Sequence, residues 1–444
     1  MSIDAAPALG ATTPSIWRSA ASTIGARAID IPSRYGFHLL VAWKLGLVDA
    51  GAFYIVFSVL TLAAGLGRLG IDRAITREVA SALALGQPER ANAAIRSGMR
   101  LITALSILAA LLLACLAPLL ATRIFSSPRL AGPLAIAAVA IVPLCLSAGA
   151  AGALAGLHRM AASQMIYSWL WPALFCLFAV TLPLTPNLTL SLIVLANLLA
   201  AGVALMLLAR YRPRNDIAAT GAPSKLMALG WSLFTTEIVQ LLLAGLPGLI
   251  LGIFASEAVV GAYAMAWRLA LVLNLLVVAV AAMASPRFAH SAARGDQAGL
   301  RATAAQSLGL VLAMGLVPLL ILAIGAPRLL ALFGQGFSAG TVELRLLLLG
   351  QAVLMLTATA PELLGMTGHE KAMERVNSAA ILIYTPALCL LAWLMGGEGA
   401  AIANLLAAIV SGGGATWLVK RRLGFTPFGA LLDLLGGSRL AARP

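Results

Sequence analysis

The sequence predicts an all-α polytopic membrane protein with about 12 transmembrane helices. Three observations predict this fold class: 61% of the 444 residues are hydrophobic, only 10% are charged, and apolar runs recur along the whole chain. A soluble domain has roughly 25% charged residues, so this chain has too few to cover a surface that faces water. Because a helix needs about 20 apolar residues to cross a bilayer, the runs are long enough to span it.

The apolar runs are expected to be helices rather than barrel strands. They are too long and too uniformly apolar for barrel strands, and a chain in lipid must satisfy its own backbone hydrogen bonds. The predicted spans are 24–44, 51–71, 100–122, 131–155, 164–183, 188–209, 226–253, 258–285, 306–326, 341–365, 376–395 and 398–419.

The distribution of lysine and arginine predicts the orientation. One set of connectors holds 21 of these residues, and the opposite set holds four. The positive-inside rule assigns the first set to the cytoplasm, which places both termini of a multi-pass bacterial inner-membrane protein there. The net charge of +14 is therefore connector charge, and it does not indicate a nucleic-acid partner.

The connectors also predict how the chain is divided. Residues 72–100 and 287–301 are amphipathic, which predicts helices that lie on the cytoplasmic surface. The polar stretch 211–225 contains Pro, Gly and charges, which are typical of a linker. The predicted organisation is an N-terminal six-helix lobe at 1–212, a cytoplasmic linker at 213–225 and a C-terminal six-helix lobe at 226–444.

A weak internal repeat supports this division. The tetrapeptide at 51–54 (GAFY) matches the one at 261–264 (GAYA) with an offset of 210 residues, and the same offset places Arg77 on Arg287. Each half has an even number of spans, so the two halves share one topology and are related by an axis along the membrane normal. Transporter sites lie between such repeats, near the middle of the bilayer.

A polar stripe crosses the first span. Arg27, Asp30, Arg34 and His38 follow one another at spacings of three or four residues, which places them on one helix face. A charge at the bilayer centre costs at least about 2.5–3.5 kcal/mol, so such residues normally face a water-filled cavity or a partner. The stripe is either one wall of a polar cavity or, if the span starts later, a structural Arg27–Asp30 pair among the headgroups.

The second half contributes further polar residues inside its spans. Arg268 is a candidate cavity residue, with a structural pair to a neighbouring carboxylate as the alternative. Glu237 is either a protonatable coupling site or a salt-bridge partner of Arg268 or Arg27. Asn274 and Gln240 lie near these charges and are candidate cavity residues.

Arg68 and Glu343 stand near the ends of their spans. Arg68 is expected to snorkel to the membrane surface, and Glu343 is expected at the interface.

No motif in the chain indicates an enzyme. A P-loop, a nucleophile elbow and an HExxH helix are all absent from the sequence. The four cysteines fall singly inside apolar runs, which favours small apolar filler over a metal or redox site. We expect no catalytic residue, metal or cofactor, and any energy coupling would use an ion such as a proton or sodium, the membrane potential or the cargo gradient.

Two segments carry motifs in a recognisable order. Residues 45–80 contain an acidic-x-G-x-aromatic start, a small-residue helix and an L-G-x-D-x-A-x-x-R end that is formed by Leu69, Gly70, Asp72, Ala74 and Arg77. Residues 331–377 contain L-F-G-x-x-F and then a connector with Thr367, Gly368, Lys371 and Asn377. In these motifs and in their order, the chain resembles the polysaccharide-transporter (Wzx-type) flippases of the multidrug/oligosaccharidyl-lipid/polysaccharide superfamily.

The resemblance implies a fold, a cargo and partners. Family members have two pseudo-symmetric six-helix bundles around a central cavity, and they move undecaprenyl-pyrophosphate-linked oligosaccharides to the periplasmic leaflet by alternating access. Arg27, Arg34 and Arg268 would then bind the diphosphate, since arginine suits bidentate contact with phosphate oxygens. The implied partners are the lipid-linked oligosaccharide, the lipid bilayer and a polysaccharide polymerase complex.

Three other functions remain as alternatives. A drug/cation antiporter of the same superfamily would need an acidic cavity, whereas the deep charges here are more basic than acidic. A peptidoglycan-precursor flippase shares the diphosphate cargo, but such proteins typically have 14 spans. A membrane scaffold has no need for buried charges and their insertion cost.

Overall fold

All regular structure in the described residues is helical. A computed structural model describes the backbone of residues 16–213 and 223–435, and the side chains of 29–213 and 226–435 apart from 235–237, 239 and 240. Within these ranges no strand occurs, which confirms the predicted fold class. The termini and most of the predicted linker lie outside the described residues, so the positions of both chain ends and the lobe boundaries stay predictions.

The helices follow one another along the chain with short connectors. They are α1 (Ile16–Arg68), α2 (Ile71–Ala84), α3 (Pro88–Leu119), α4 (Ala131–Gly156), α5 (Met160–Gln164), α6 (Leu170–Ala179), α7 (Pro186–Tyr211), α8 (Pro223–Phe254), α9 (Glu257–Ala293), α10 (Gln297–Ala331), α11 (Thr341–Leu356), α12 (Thr359–Met366), α13 (Glu370–Leu423) and α14 (Pro427–Leu435). Single π-helical turns extend α3 and join α5 to α6.

The two longest helices each contain two of the predicted spans. Helix α1 breaks at Gly46, whose φ of 73° and ψ of 177° are not helical, and α13 breaks at Gly396, whose φ is 57°. Glycine tolerates a positive φ because it has no Cβ. Eight stretches of the described residues are long and apolar enough to cross a bilayer. With these two breaks, α8 and the α5–α6 pair, a helix occupies each of the twelve predicted spans.

Each predicted surface segment is divided between two helices. Helix α2 buries one face against α4, a break follows around Gly86, and residues 88–100 are the first turns of the long α3. Likewise 287–301 is divided between the end of α9 and the start of α10. The prediction of one helix in each segment was wrong, because the chain breaks at Gly86 and at Gly295. Helix α2 exposes Arg73 and Arg77, and its place on the cytoplasmic surface stays a prediction.

The connectors define two ends of the helix bundle. The arginine-rich end holds the connectors around Gly86, Arg159 and Arg294. The arginine-poor end holds the break at Gly46 and the connector that precedes α9.

The two halves meet at the arginine-poor end through residues that the repeat pairs with each other. A methyl group on Gly51 of α1 would overlap the carbonyl oxygen of Glu257, and one on Gly261 of α9 would overlap that of Leu47. Leu47 and Glu257 are 210 residues apart, as are Gly51 and Gly261, so the repeat relates the two contacts to each other. The backbones therefore cross on the pseudo-twofold axis, where only a residue without a side chain fits.

Polar contacts close the same end. Arg129, which follows α3, pairs with Glu257 at the start of α9, and the hydroxyl of Ser127 donates to the same carboxylate at 2.8 Å. A second carboxylate, Asp49, lies 3.5 Å from Arg129. The contacts of Arg129 and Ser127 with Glu257 join the first half of the chain to the second.

Helix α8 packs along the second part of α1. A methyl group on Gly248 would overlap the hydroxyl of Ser58, and one on Gly245 would come within 2.7 Å of Leu62. At the arginine-rich end, a methyl group on Gly70 would lie 2.9 Å from the backbone nitrogen of Phe234. Small residues thus allow close approach of helices between the two halves.

The position of Arg68 differs from the prediction. Its side chain is only 17% exposed and forms an ion pair at 3.3 Å with Asp72, which is 6% exposed. The sequence reading was wrong because the chain turns at Leu69 and Gly70, both with positive φ, and this turn brings the motif aspartate back over the last turn of α1.

Candidate functional site

A cavity lies between the halves, and we call it the arginine chamber. It encloses about 200 Å³ between α1, α8 and α9. Its lining residues are His38, Tyr54, Phe57, Ser58, Thr61, Ala244, Pro247, Gly248, Val260, Tyr263, Ala264, Trp267, Arg268 and Leu271. Arg268 and His38, two of the sequence-predicted residues, therefore share one cavity, although they lie in different halves of the chain.

Arg268 is held in the chamber without a charged partner among the described side chains. Its guanidinium lies 4.0 Å from the centre of the Tyr54 ring, and Nη1 donates to the carbonyl oxygen of Ala264 at 2.7 Å. Its buried Nε has no hydrogen-bond partner. A cation–π contact in a desolvated site stabilises by about 2 kcal/mol, which offsets only part of the cost of placing the charge there.

His38 and Tyr54 connect the two halves around this cation. Nδ1 of His38 lies 3.3 Å from the Tyr54 hydroxyl, which also contacts the sulfur of Met265 at 3.4 Å. On its other side His38 packs edge-to-face against Phe37, with 4.6 Å between ring centres. The rings of α1 thereby hold Tyr54 under the guanidinium.

Arg34 and Asp30, two residues of the polar stripe on the first span, form an ion pair with each other. Nε of Arg34 lies 2.8 Å from Oδ1 of Asp30, and the two side chains are 49% and 27% exposed. Arg34 is not among the residues that line the arginine chamber. Of these two arginines, Arg34 and Arg268, Arg34 has a carboxylate partner among the described side chains and Arg268 has none.

Three predicted residues have side chains outside the described residues. Arg27 lies in the first turns of α1, and Glu237 and Gln240 lie in α8. Their places in the cavity, and the coupling or salt-bridge roles of Glu237, stay predictions.

A second cavity adjoins the first, and we call it the amide chamber. It encloses about 380 Å³, and its polar lining consists of Asn274, Gln351, Asn377, Asn404 and Ser411. Ala244, Trp267 and Leu271 line both chambers, so the two chambers are neighbours that share these residues.

Asn274 is the only one of these amide-chamber residues predicted as part of the site. Gln351 and Asn404 were missed, although a carboxamide inside an apolar span is a signal of the same kind as a buried charge. From the sequence, Asn377 was named only as part of the connector motif. Its place in the chamber depends on how α13 packs against its neighbours, which the sequence alone does not show.

Two carboxylates lie outside both chambers. Glu343 lies in the first turn of α11, is 7% exposed, and its Oε2 has no hydrogen-bond partner among the described residues, while its position at the membrane interface stays a prediction. Glu362 accepts a hydrogen bond from Ser285 at 2.8 Å. Neither lies beside Arg268 in the cavity lining.

Comparisons with known proteins identify the family. Residues 16–291 match the model of the family described as polysaccharide biosynthesis protein. No curated protein sequence matches the chain.

Solved structures of transporters share the fold. The inward closed conformation of the lipid II flippase MurJ superposes with a TM-score of 0.73 at 11% identity, covering 96% of this chain and 93% of that one. An inward-facing multidrug resistance MATE family transporter of the MOP superfamily gives 0.70 at 14% identity, covering 90% and 98%. The outward-facing conformation of a MATE family transporter gives 0.50 at 16% identity, covering 91% and 96%.

The family match covers more than half of the chain, and the fold similarity covers nearly all of it. Family and fold neighbours are transporters or flippases, and the helices are those of a multi-pass membrane protein. The chain belongs to the polysaccharide biosynthesis protein family and has the fold of the transporters and flippases of the MOP superfamily.

Proposed function

We propose that the protein is a flippase that moves an undecaprenyl-pyrophosphate-linked oligosaccharide across the bacterial inner membrane by alternating access. The cargo would supply surface polysaccharide biosynthesis. The observation that carries this proposal is Arg268, a guanidinium in a cavity between the halves with no ion-pair partner among the described side chains. A cation retained in such a place favours an anionic ligand, and the planar fork of arginine matches the oxygens of a diphosphate.

The closed arginine-poor end supports a defined step of the cycle. If the lysine and arginine bias places the arginine-rich end and both termini in the cytoplasm, the Gly51–Gly261 and Arg129–Glu257 contacts close the periplasmic side. The cargo would then enter from the cytoplasmic leaflet. The higher TM-scores against inward conformations agree with this assignment.

Deletion of the gene is the first test. We expect a glycolipid to accumulate in the cytoplasmic leaflet and the surface polymer to be lost, and analysis of that glycolipid would identify the sugars. A glycolipid with unchanged leaflet distribution and a normal polymer, in a strain without a second flippase, would refute the proposal.

Variants of Arg268 test the diphosphate contact. A charge-assisted hydrogen bond contributes about 1.5–3 kcal/mol, so Arg268→Gln should reduce the flipping rate in proteoliposomes about 10- to 150-fold. Arg268→Lys keeps the charge but loses the fork and should retain part of the rate. Arg328→Gln, at an exposed position near the arginine-poor end, is the matched control and should flip like the unmodified protein.

The same experiments separate the alternatives. Accumulation of the peptidoglycan precursor and loss of viability would identify a peptidoglycan-precursor flippase. Dye efflux from proteoliposomes driven by a proton or sodium gradient would identify a drug/cation antiporter, and the gradient that drives flipping would name the coupling ion. Copurification with a polysaccharide polymerase would test the proposed partner complex.

A further inference from the structure

The amide chamber contains one buried hydrogen-bonding atom that no described protein group satisfies. Gln351 is 4% exposed, and its Oε1 has no hydrogen-bond partner, although the residue lines the cavity. Asn404 is 9% exposed and lines the same cavity. Buried carboxamides are normally bonded, because an unsatisfied polar group is destabilising away from water. The chamber therefore fits a ligand that supplies both donors and acceptors.

The chamber is polar but uncharged. Its lining residues are amides, one hydroxyl and apolar side chains, in contrast to the guanidinium next door. A carboxamide offers two donors and an acceptor, which complement hydroxyl and acetamido groups. A carboxylate bound there would be buried without a counter-ion, which is strongly unfavourable. The chemistry of the lining favours a neutral, hydroxyl-rich ligand.

The geometry allows one ligand to occupy both chambers. Arg268 and Asn274 lie on the same helix, six residues and therefore about 9 Å apart along its axis. Trp267 stands between the chambers and stacks on Tyr263 with 14° between ring planes. An indole at this position offers an apolar face to a sugar ring. The chamber volume of about 380 Å³ lies within the range of sites for small organic ligands.

We propose that the amide chamber binds the sugar next to the diphosphate, and that this sugar is neutral and carries hydroxyl and acetamido groups rather than a carboxylate. This inference rests on the proposed function, because Arg268 must hold the diphosphate for the adjoining sugar to enter the chamber. It assigns Gln351 and Asn404 to recognition of the sugar, together with the amide nitrogen of Asn377, whose Oδ1 accepts a hydrogen bond from Ser411 at 3.2 Å. Arg268 then provides affinity common to all cargoes, and the amides provide selection among them.

The test measures equilibrium binding of three lipids to the full-length protein in nanodiscs. The probes are undecaprenyl pyrophosphate, the same lipid with N-acetylglucosamine, and the same lipid with galacturonic acid. We expect the unmodified protein to bind the N-acetylglucosamine lipid at least about tenfold more tightly than either of the others. Loss of one hydrogen bond in Gln351→Met should weaken that lipid about 3- to 10-fold and leave bare undecaprenyl pyrophosphate unchanged.

Two further variants make the outcomes distinguishable. Arg268→Gln should weaken all three lipids to a similar extent, and Gln306→Met, at an exposed position of α10, should weaken none. Gln351→Met keeps the side-chain volume and removes an unpaired amide, so its thermal unfolding midpoint should be unchanged or higher. A lower midpoint together with equal weakening of all lipids would show a structural role and overturn the inference.

Other results would also overturn it, each in a different way. Equal affinity for bare and sugar-bearing lipid would show a water-filled chamber, and equal affinity for the acidic sugar would refute the neutral class, while in both cases the proposed flippase would stand. Sodium binding that is lost in Gln351→Met, with sugar preference unchanged, would reassign the chamber to a cation. Failure of the unmodified protein to bind any of the lipids would refute the proposed function itself.

Discussion

A single methyl group at Gly51 should shift the protein towards a state that is open at the arginine-poor end. In the structure, the Cβ of alanine at this position would overlap the backbone carbonyl of Glu257 and come within 3.1 Å of the nitrogen of Gly261. Both neighbours are backbone atoms, so no rotation of a side chain relieves the overlap. The helices α1 and α9 must separate.

The size of the shift follows from the cost of overpacking. Inserting a methyl group into a well-packed contact costs about 1–3 kcal/mol. Because the contact exists only when this end is closed, the ratio of closed to open molecules should fall about 5- to 150-fold. Gly202→Ala is the matched control, since its Cβ meets nothing within 4 Å in the interior of α7. The gain in helix propensity of about 1 kcal/mol is common to both variants and cancels in the comparison.

Distances between spin labels would report the result. Labels on Thr181→Cys and Leu332→Cys, both exposed near the arginine-poor end but in different halves, would be measured in a background without the four native cysteines. We expect a longer distance to become the major population in Gly51→Ala and not in Gly202→Ala. Identical distance distributions in the two variants would refute the idea that the glycine contact defines the closed state.

Three further substitutions test contacts around the site. Glu257→Gln should open the arginine-poor end by about 1 kcal/mol, less than Gly51→Ala because Arg129 is half exposed, and the same spin-label distances check it. Asp72→Asn should leave Arg68 as a buried unpaired charge and cost about 3–5 kcal/mol, seen as a lower thermal unfolding midpoint; an unchanged midpoint would contradict the pair. Lys44→Met should remove hydrogen bonds of 2.6–2.9 Å to three carbonyls at and just beyond the end of α6 and cost about 1–2 kcal/mol, visible as faster amide exchange there.

Most of the helix arrangement follows from composition and periodicity, and the exceptions have a common cause. Apolar runs of bilayer length predict the spans, and the breaks at Gly46 and Gly396 fall between predicted spans. The sequence did not predict the break at Gly86 within the segment 72–100 or the burial of Arg68. Both features depend on local turns and on neighbouring protein, and hydropathy does not distinguish a protein neighbour from a membrane surface.

The site was predictable where it depends on charge and not where it depends on neutral polarity. Arg268 and His38 stand out because an ionisable residue in an apolar span is costly, and they share one cavity. Gln351 and Asn404 are buried polar residues too. They do not stand out in the sequence, because amides are common in membrane helices as contacts between helices. Their convergence on one chamber depends on the packing of α11 against α13, which one sequence without structure does not provide.

The repeat also explains why the closed end and the cargo site should act together. The offset of 210 residues pairs Ser58 with Arg268, so the halves are alike in backbone but only one of them carries the cation. The ring under that cation belongs to Tyr54 in the other half, one turn of α1 away from the Gly51 contact. Separating the halves at the arginine-poor end would therefore pull the ring from the guanidinium and weaken its cation–π support. A cation that loses one partner holds an anion more tightly or becomes hydrated, so the Gly51→Ala variant should change lipid diphosphate affinity as well as distance. An affinity that stays constant while the spin-label distance changes would show that the gate and the arginine chamber are independent.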